Sequence, residues 1–267
     1  MTQAACGHFS SAKDFGSRVF DVIDRIHFVI AGTQKGGTTA LEALLRRHPH
    51  IGFADEKELH FFDDDRYFRG ERPAYAAYHA HFSPTPETLV LGEATPVYMY
   101  WEPAAERMWR YNPALKLIMI LRNPIERAWS HWAMTTRRGE ETLPFGEAIR
   151  REAERCSEAL PLQHRFYSYV DRGFYSRQID RLTRYFPMSQ MLILRNEELR
   201  ADAQSVVNRV SHFLGIPDVT IDVPPCGPRQ RSGMPAEDRA FLLECFEPEI
   251  AELERRFGWD CREWRAP

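Results

Sequence analysis

Between Phe28 and Leu41 the chain reads Phe28-Val29-Ile30-Ala31-Gly32-Thr33-Gln34-Lys35-Gly36-Gly37-Thr38-Thr39-Ala40-Leu41. An apolar run passes into glycines and hydroxyl residues, and a helical pattern follows. A strand, loop and helix in this order presents free amides to an anion at a helix start, where the dipole also favours negative charge. Gly36 and Gly37 let the backbone approach a phosphate, Lys35 adds a mobile cation, and Thr38 and Thr39 add hydroxyl donors. The order is not that of a Walker A loop, in which the lysine directly follows the last glycine. Thr38 stands there instead, and the lysine comes earlier. A nucleoside triphosphatase also needs a metal-holding acid beside the phosphates. The later apolar run Leu117-Ile118-Met119-Ile120-Leu121 ends in Arg122, which suits a second anion held without metal.

The elements that must position these residues follow from the apolar pattern. A strand over 27–32 leads into the loop, and the helix behind it carries Leu41, Leu44 and Leu45 and stops near His48-Pro49. Ile51-Gly52-Phe53 is a short strand, and 63–86 is a loop with one short helix at Ala74–His81. Leu89-Val90-Leu91-Gly92-Glu93 is a buried strand ending in Ala94-Thr95-Pro96. A helix over 103–111 leads to a strand over 115–121. Asn123-Pro124 then opens a helix carrying Arg127, Ser130, His131 and Trp132. Further helices are expected from Phe145 to about Cys156, after Gly173-Phe174-Tyr175, through Val206, Val207, Val210 and Leu214, and over 236–257. Another strand is expected at Met191-Leu192-Ile193-Leu194, and a Pro/Gly-rich loop at 217–235. Residues 1–25 read as a polar leader and 26–267 as a single domain. Alternating strands and helices predict an α/β fold of three layers, α/β/α, around a central parallel sheet. Ligands of such sheets sit beyond the carboxyl ends of the strands. By that rule the 33–39 loop, Glu58, Thr95, Arg122 and Ser130 converge on one crevice.

Composition narrows the partners. The 267 residues carry 43% hydrophobic and 27% charged side chains, as a globular α/β chain does, with a net charge of −3 and a pI near 6.4. That balance argues against a nucleic-acid binder working by bulk charge. No apolar run approaches the roughly 20 residues of a membrane span, and the first residues lack a signal-peptide core, so a cytoplasmic location is expected. Cys6, Cys156, Cys226, Cys245 and Cys261 are scattered and odd in number, which reads as reduced thiols and not as a zinc or disulfide framework.

Two motifs together resemble those of sulfotransferases that use 3′-phosphoadenylyl sulfate (PAPS). Gln34-Lys35-Gly36-Gly37-Thr38-Thr39 is similar to their 5′-phosphosulfate loop. Leu121-Arg122-Asn123-Pro124-Ile125-Glu126-Arg127-Ala128-Trp129-Ser130 is similar to their 3′-phosphate motif, with Arg122 and Ser130 at the contact positions. Glu58-Leu59-His60-Phe61-Phe62 resembles the segment bearing the catalytic glutamate in the heparan-sulfate N- and O-sulfotransferase branch, which Glu93-Ala94-Thr95-Pro96 and Gly173-Phe174-Tyr175 also fit. The likeness runs from about residue 27 to 257 and suggests a bacterial-type soluble member. Two departures stand out. That branch usually has lysine where this chain has Ala94, beside the acceptor. The loop before the last helix has a single cysteine, Cys226, where relatives can carry a disulfide. Arg229 and Arg231 in that loop resemble residues that cover the cofactor.

The resemblance implies PAPS as donor and adenosine 3′,5′-bisphosphate as product, with a carbohydrate or small metabolite as acceptor. Sulfuryl transfer, like loose phosphoryl transfer, needs in-line positioning and stabilisation of the leaving oxygen, and the lower charge of the group removes the need for metal. Lys35 is placed at the leaving oxygen, and the 36–39 amides with Thr38 and Thr39 at the 5′-phosphate. Glu58 is the candidate base and His60 its rival. In an extended segment the two would point to one side, and partial burial beside Phe61 and Phe62 would raise the glutamate towards neutrality. Glu93, Thr95 and Tyr98 are candidate acceptor contacts, and Tyr98-Met99-Tyr100-Trp101 reads as an acceptor wall or as ordinary packing. Tyr175 reads as a cofactor contact or a core aromatic, and Arg122 as an anion site or a partner of Glu126 or Glu93. A divergent P-loop kinase or NTPase, and a non-catalytic adenine-nucleotide binder, remain as alternatives.

Overall fold

The computed structural model describes residues 23–70, 73–223 and 233–266. The expected leader therefore lies almost wholly outside the described residues, and so do Arg229, Arg231 and Cys226. Five strands form one parallel sheet in the order β2-β3-β1-β4-β5. They are β1 (Phe28–Gly32), β2 (Ile51–Phe53), β3 (Val90–Ala94), β4 (Lys116–Leu121) and β5 (Met191–Arg195). From the central β1, β3 and then β2 follow on one side and β4 and then β5 on the other, so the strand order reverses at β1, where a crevice opens.

Side-chain alternation sorts each strand between two cores. Val29 and Ala31 of β1, with Leu117, Met119 and Leu121 of β4, point to one face. That face is covered by α3 (Glu102–Tyr111), α4 (Pro124–Arg137), α7 (Tyr175–Thr183) and α10 (Ala236–Phe257). Phe28 and Ile30, with Ile118 and Ile120, point to the other. There α1 (Thr38–Leu45), α8 (Asn196–Ala201) and α9 (Ala203–Leu214) contribute Leu41, Leu45, Leu199, Val206 and Val210. The strands are apolar on both faces because both are covered. The three-layer expectation is met.

Two helices differ from the sequence reading. The one expected from Phe145 to Cys156 breaks at Arg151 into α5 (Phe145–Arg150) and α6 (Glu152–Ser157). At the break, the Glu152 carboxylate accepts hydrogen bonds from the amides of Val170 and Asp171 at 2.6 and 2.8 Å. A one-and-a-half-turn α8 directly after β5 had no apolar period to announce it. The short helices α2 (Tyr75–His79) and α11 (Arg262–Arg265) complete the chain. Among the described residues no helix is long and apolar enough to cross a membrane.

The end of β1 sets up the loop that follows. Its register against β4 shifts between Ile30 and Gly32, and the Ala31 carbonyl accepts from Met99 N at 2.8 Å instead. Thr33 N then donates to the Ile120 carbonyl at 3.1 Å, so the loop turns back over the end of β4. Gly36 lies so close there that an added methyl would be driven into the Ile120 carbonyl oxygen. Gly36→Ala should therefore cost about 1–3 kcal/mol through backbone displacement, seen as a lowered midpoint in denaturant unfolding. An unchanged midpoint would refute this packing.

Candidate active site

The cleft lies beyond the carboxyl ends of β1, β2, β3 and β4. It encloses about 400 Å³ and is lined by Gln34, Lys35, Gly37, Thr38, Thr39, Glu58, Pro96, Arg122, Ser130, Met134 and Arg138. Seven of the eleven residues expected to bind the donor thus meet in one place, although 88 positions separate Gln34 from Arg122. Met134 and Arg138 escaped the sequence reading. Their signal was helical spacing: from Ser130, steps of four along α4 and its C-cap reach Met134 and then Arg138.

At the glycine-loop end of the cleft, α1 starts at Thr38 with Gly37 as its N-cap, at φ 115°, and with no side chain capping the first amides. Gly37, Thr38 and Thr39 line the cleft there. Asn196 Nδ2 holds the loop from outside by donating to the Gly36 carbonyl at 2.8 Å. Gln34 Oε1 accepts from Arg172 Nη1 at 2.8 Å, and Arg172 is a fully buried cation that no motif had marked. Lys35 Nζ is 3.8 Å from Met134 Sδ. Burial, with the Arg137, Arg122 and Arg138 guanidiniums close by, pushes the Lys35 ammonium below the usual lysine range, against the pull of Glu58. Like charges held this near are what an anion would relieve.

At the opposite end Arg122 pairs with Glu126 at 3.6 Å, and Arg239 reaches the same carboxylate at 3.2 Å. Arg122 therefore engages Glu126, one of the partners left open for it, while also lining the cleft. Tyr175 is wholly buried, and its hydroxyl donates to the Arg122 carbonyl at 2.8 Å. It is a core aromatic that fixes the backbone of Arg122 from behind.

The Glu58 segment departs from expectation in conformation. Glu58 and His60 have φ of 60° and 53°, so the stretch is not extended. Among the described residues, these two and Lys35, at 67°, are the non-glycine residues in the left-handed region. Strain of this kind concentrates at functional sites. The side chains nevertheless converge, with His60 Nε2 3.8 Å from Glu58 Oε2 and Lys57 Nζ 2.6 Å from Glu58 Oε1. Phe61 and Phe62 do not bury the glutamate; they turn into the core against Tyr78, and the Glu58 side chain stays 37% exposed. His60 Nδ1 lies 3.1 Å from both oxygens of Asp63. This contact, outweighing burial, lifts the imidazole above the usual histidine value. A histidine held toward its cation is the weaker candidate for base.

Glu93, Thr95 and Tyr98, expected to touch the acceptor, are instead buried, at 1%, 0% and 0% exposure. Tyr78 and Tyr98 hydroxyls donate to Glu93 Oε1, each at 2.9 Å, and Thr95 Oγ1 donates to Oε2 at 2.6 Å. The Tyr98 oxygen in turn accepts from the amides of Phe61 and Phe62 at 2.9 and 3.3 Å. The cluster ties the Glu58–His60 turn to the end of β3, where Glu58 N also donates to the Ala94 carbonyl at 3.1 Å. Burial pushes Glu93 up to about 7 against these three donors.

The chain matches the sulfotransferase domain family over residues 25–223. It is 36% identical over 200 residues to the heparan sulfate glucosamine 3-O-sulfotransferase 6 of Homo sapiens, covering 73% of this chain and 53% of that protein. It is 33% identical over 201 residues to the bifunctional heparan sulfate N-deacetylase/N-sulfotransferase 3 of Homo sapiens, covering 71% of this chain and 22% of that one. The chain thus spans about half the length, or less, of these curated relatives. The crystal structure of a sulfotransferase from Alicyclobacillus acidocaldarius superposes with a TM-score of 0.76 at 29% identity, covering 90% of this chain and 99% of the other.

The buried carboxyl gives a test with a definite sign. Glu93 loses its proton near 4.5 when exposed and near 7 in the fold. Its contribution therefore favours the folded state at low pH and is lost as pH rises from about 4.5 through 7, by at most about 3 kcal/mol. Glu93→Gln removes the titration but keeps an acceptor for the tyrosines. The variant should gain melting temperature relative to wild type between pH 5 and pH 8. Parallel pH curves for the two proteins would contradict a titrating, buried Glu93.

Proposed function

Because the chain belongs to the sulfotransferase family, we propose that its cleft binds PAPS and that Glu58 prepares a hydroxyl or amine of a carbohydrate or small metabolite to receive the sulfuryl group. One observation carries this reading: the uncapped start of α1, Lys35 and Glu58 share a cleft with Arg122 and Ser130. The donor set fits a bisphosphorylated ligand. Crowded cations and free amides answer the 5′ end, and Arg122 with Ser130 answers the 3′-phosphate. When bound, PAPS supplies the activated sulfuryl group.

The chain's own residues supply the rest. The Thr38 and Thr39 amides and hydroxyls hold the 5′-phosphate, and Gln34 is oriented for the loop by Arg172. The Lys35 ammonium stabilises charge that develops on the leaving oxygen. The Glu58 carboxylate takes the acceptor's proton, and Lys57 and His60 fix its direction. Glu93, Thr95 and Tyr98 act one layer behind, holding that turn in place. Arg229 and Arg231, outside the described residues, are assigned to cover the donor. Residues 26–267 are taken as a single catalytic domain. Free Cys156, Cys245 and Cys261 agree with a reducing, cytoplasmic setting.

Two experiments test the roles. Lys35→Ala should lower turnover by about 10²–10³-fold, and Glu58→Ala by about 10²–10⁴-fold. Only Glu58→Ala should leave affinity for adenosine 3′,5′-bisphosphate within about twofold by calorimetry. Turnover that survives either change removes that residue from the reaction. The acceptor for these assays comes from labelled PAPS incubated with a small-molecule extract of the host. Arg122→Ala should weaken adenosine 3′,5′-bisphosphate by about ten- to a hundredfold, the loss of one charge-assisted contact, while AMP affinity changes little. An equal loss for both nucleotides would remove the 3′-phosphate assignment, and wild-type protein that prefers neither would defeat the PAPS reading.

A further inference from the structure

Asp63 has no exposed side-chain surface, and it is held from two sides. His60 Nδ1 meets its carboxylate at 3.1 Å. From the segment that follows α6, Arg165 Nη1 donates to Asp63 Oδ2 at 2.7 Å, and Arg165 Nη2 donates to the Asp63 backbone carbonyl. The guanidinium is steadied by lying 4.2 Å from the centre of the Trp101 ring. The Arg165 carbonyl accepts from Arg172 Nη2 at 2.7 Å, and Arg172 Nη1 donates to Gln34. A continuous chain of polar contacts therefore runs from Gln34 in the donor loop through Arg172, Arg165 and Asp63 to His60, whose other nitrogen faces Glu58.

The geometry points to Arg165 as a positioning residue: its fork shares the buried Asp63 carboxylate with His60 and so sets how firmly His60 holds its proton beside Glu58. The relevance to catalysis rests on the sulfuryl-transfer reading above, whereas the coupling itself does not. The groups facing His60 are Asp63 and Glu58 on its own segment and Glu93 on β3, and all three favour its cation. Lys57 neutralises part of the Glu58 charge. Arg165 is the cation that neutralises part of Asp63. Burial pushes the Asp63 carboxyl up, but His60 and Arg165 together hold it below the usual carboxylate range. His60 Nε2 lies 3.8 Å from Glu58 Oε2, so the charge on His60 bears directly on that carboxylate. By drawing on Asp63, Arg165 limits that charge, and through Arg172 it does so from the same scaffold that orients Gln34.

The test reads His60 directly. In histidine-labelled full-length protein the imidazole resonances are titrated by NMR, with His60→Gln identifying the His60 signal. In Arg165→Gln the Asp63 charge is compensated by His60 alone, so the His60 midpoint should move to higher pH by about one unit. Arg165→Lys, which keeps the charge but not the fork, should move it by less and covers the case in which the glutamine variant fails to fold. A merely structural arginine would lower the melting temperature and leave the midpoint in place. A His60 midpoint that stays put, or moves down, in a folded Arg165 variant overturns the proposal. Wild-type protein that binds no bisphosphate would count against the proposed function alone, because the titration still decides the coupling.

Discussion

Positive charge gathered at the carboxyl edge of a parallel sheet is the constraint that the rest of this structure answers to. Lys35, Arg122 and Arg138 line one small cleft with Arg137 close by, and α1 starts at its wall with no side chain capping its first amides. Such an arrangement repels itself unless rigid surroundings hold it. Those surroundings are visible. Asn196 grips the Gly36 carbonyl, Arg172 grips Gln34, Tyr175 grips the carbonyl of Arg122, and Glu126 takes up part of its charge. The glycine loop and the backbone of Arg122 are thus held from outside the cleft that Lys35, Arg122 and Arg138 line.

The acidic half of the site is built on the opposite principle. Glu93 and Asp63 are buried and fully engaged, and they do their work on other residues. Glu93 acts through Tyr98 on the amides of Phe61 and Phe62, and Asp63 acts on His60. Between these anchors the chain can afford left-handed conformations at Glu58 and His60, which an unsupported loop would relax. The two halves meet where Lys35 and Glu58 line the same cleft.

Much of the fold could be read from the chain because its signals are local. The β1 strand, the glycine loop and the α1 helix follow from an apolar run, two glycines and a helical period. The span of α10 followed in the same way. The α8 helix was not legible, since six residues carry too little periodicity. The break at Arg151 was hidden because its cause, the bonds of Glu152 to Val170 and Asp171, joins segments 18 and 19 residues apart. In the cleft, Gln34, Lys35, Gly37, Thr38, Thr39, Arg122 and Ser130 came from two motifs, whereas Met134 and Arg138, and Arg172 behind it, lay outside both.

By itself the sequence determined the chemical types in the cleft, a glycine-rich anion loop, a distant arginine and serine, and a carboxylate beside a histidine, since residue identity and short spacing are properties of the chain. Only the tertiary structure decided which of the polar residues face the cleft and which stand behind it. Glu93 and Thr95 share a motif with the cleft residue Pro96 yet are buried, as are Tyr98 and Tyr175, and Asp63 meets Arg165 across 102 positions. The physical reason is that whether a polar group faces a ligand or supports a neighbour depends on burial and on partners brought near by folding, and neither is a property of local sequence.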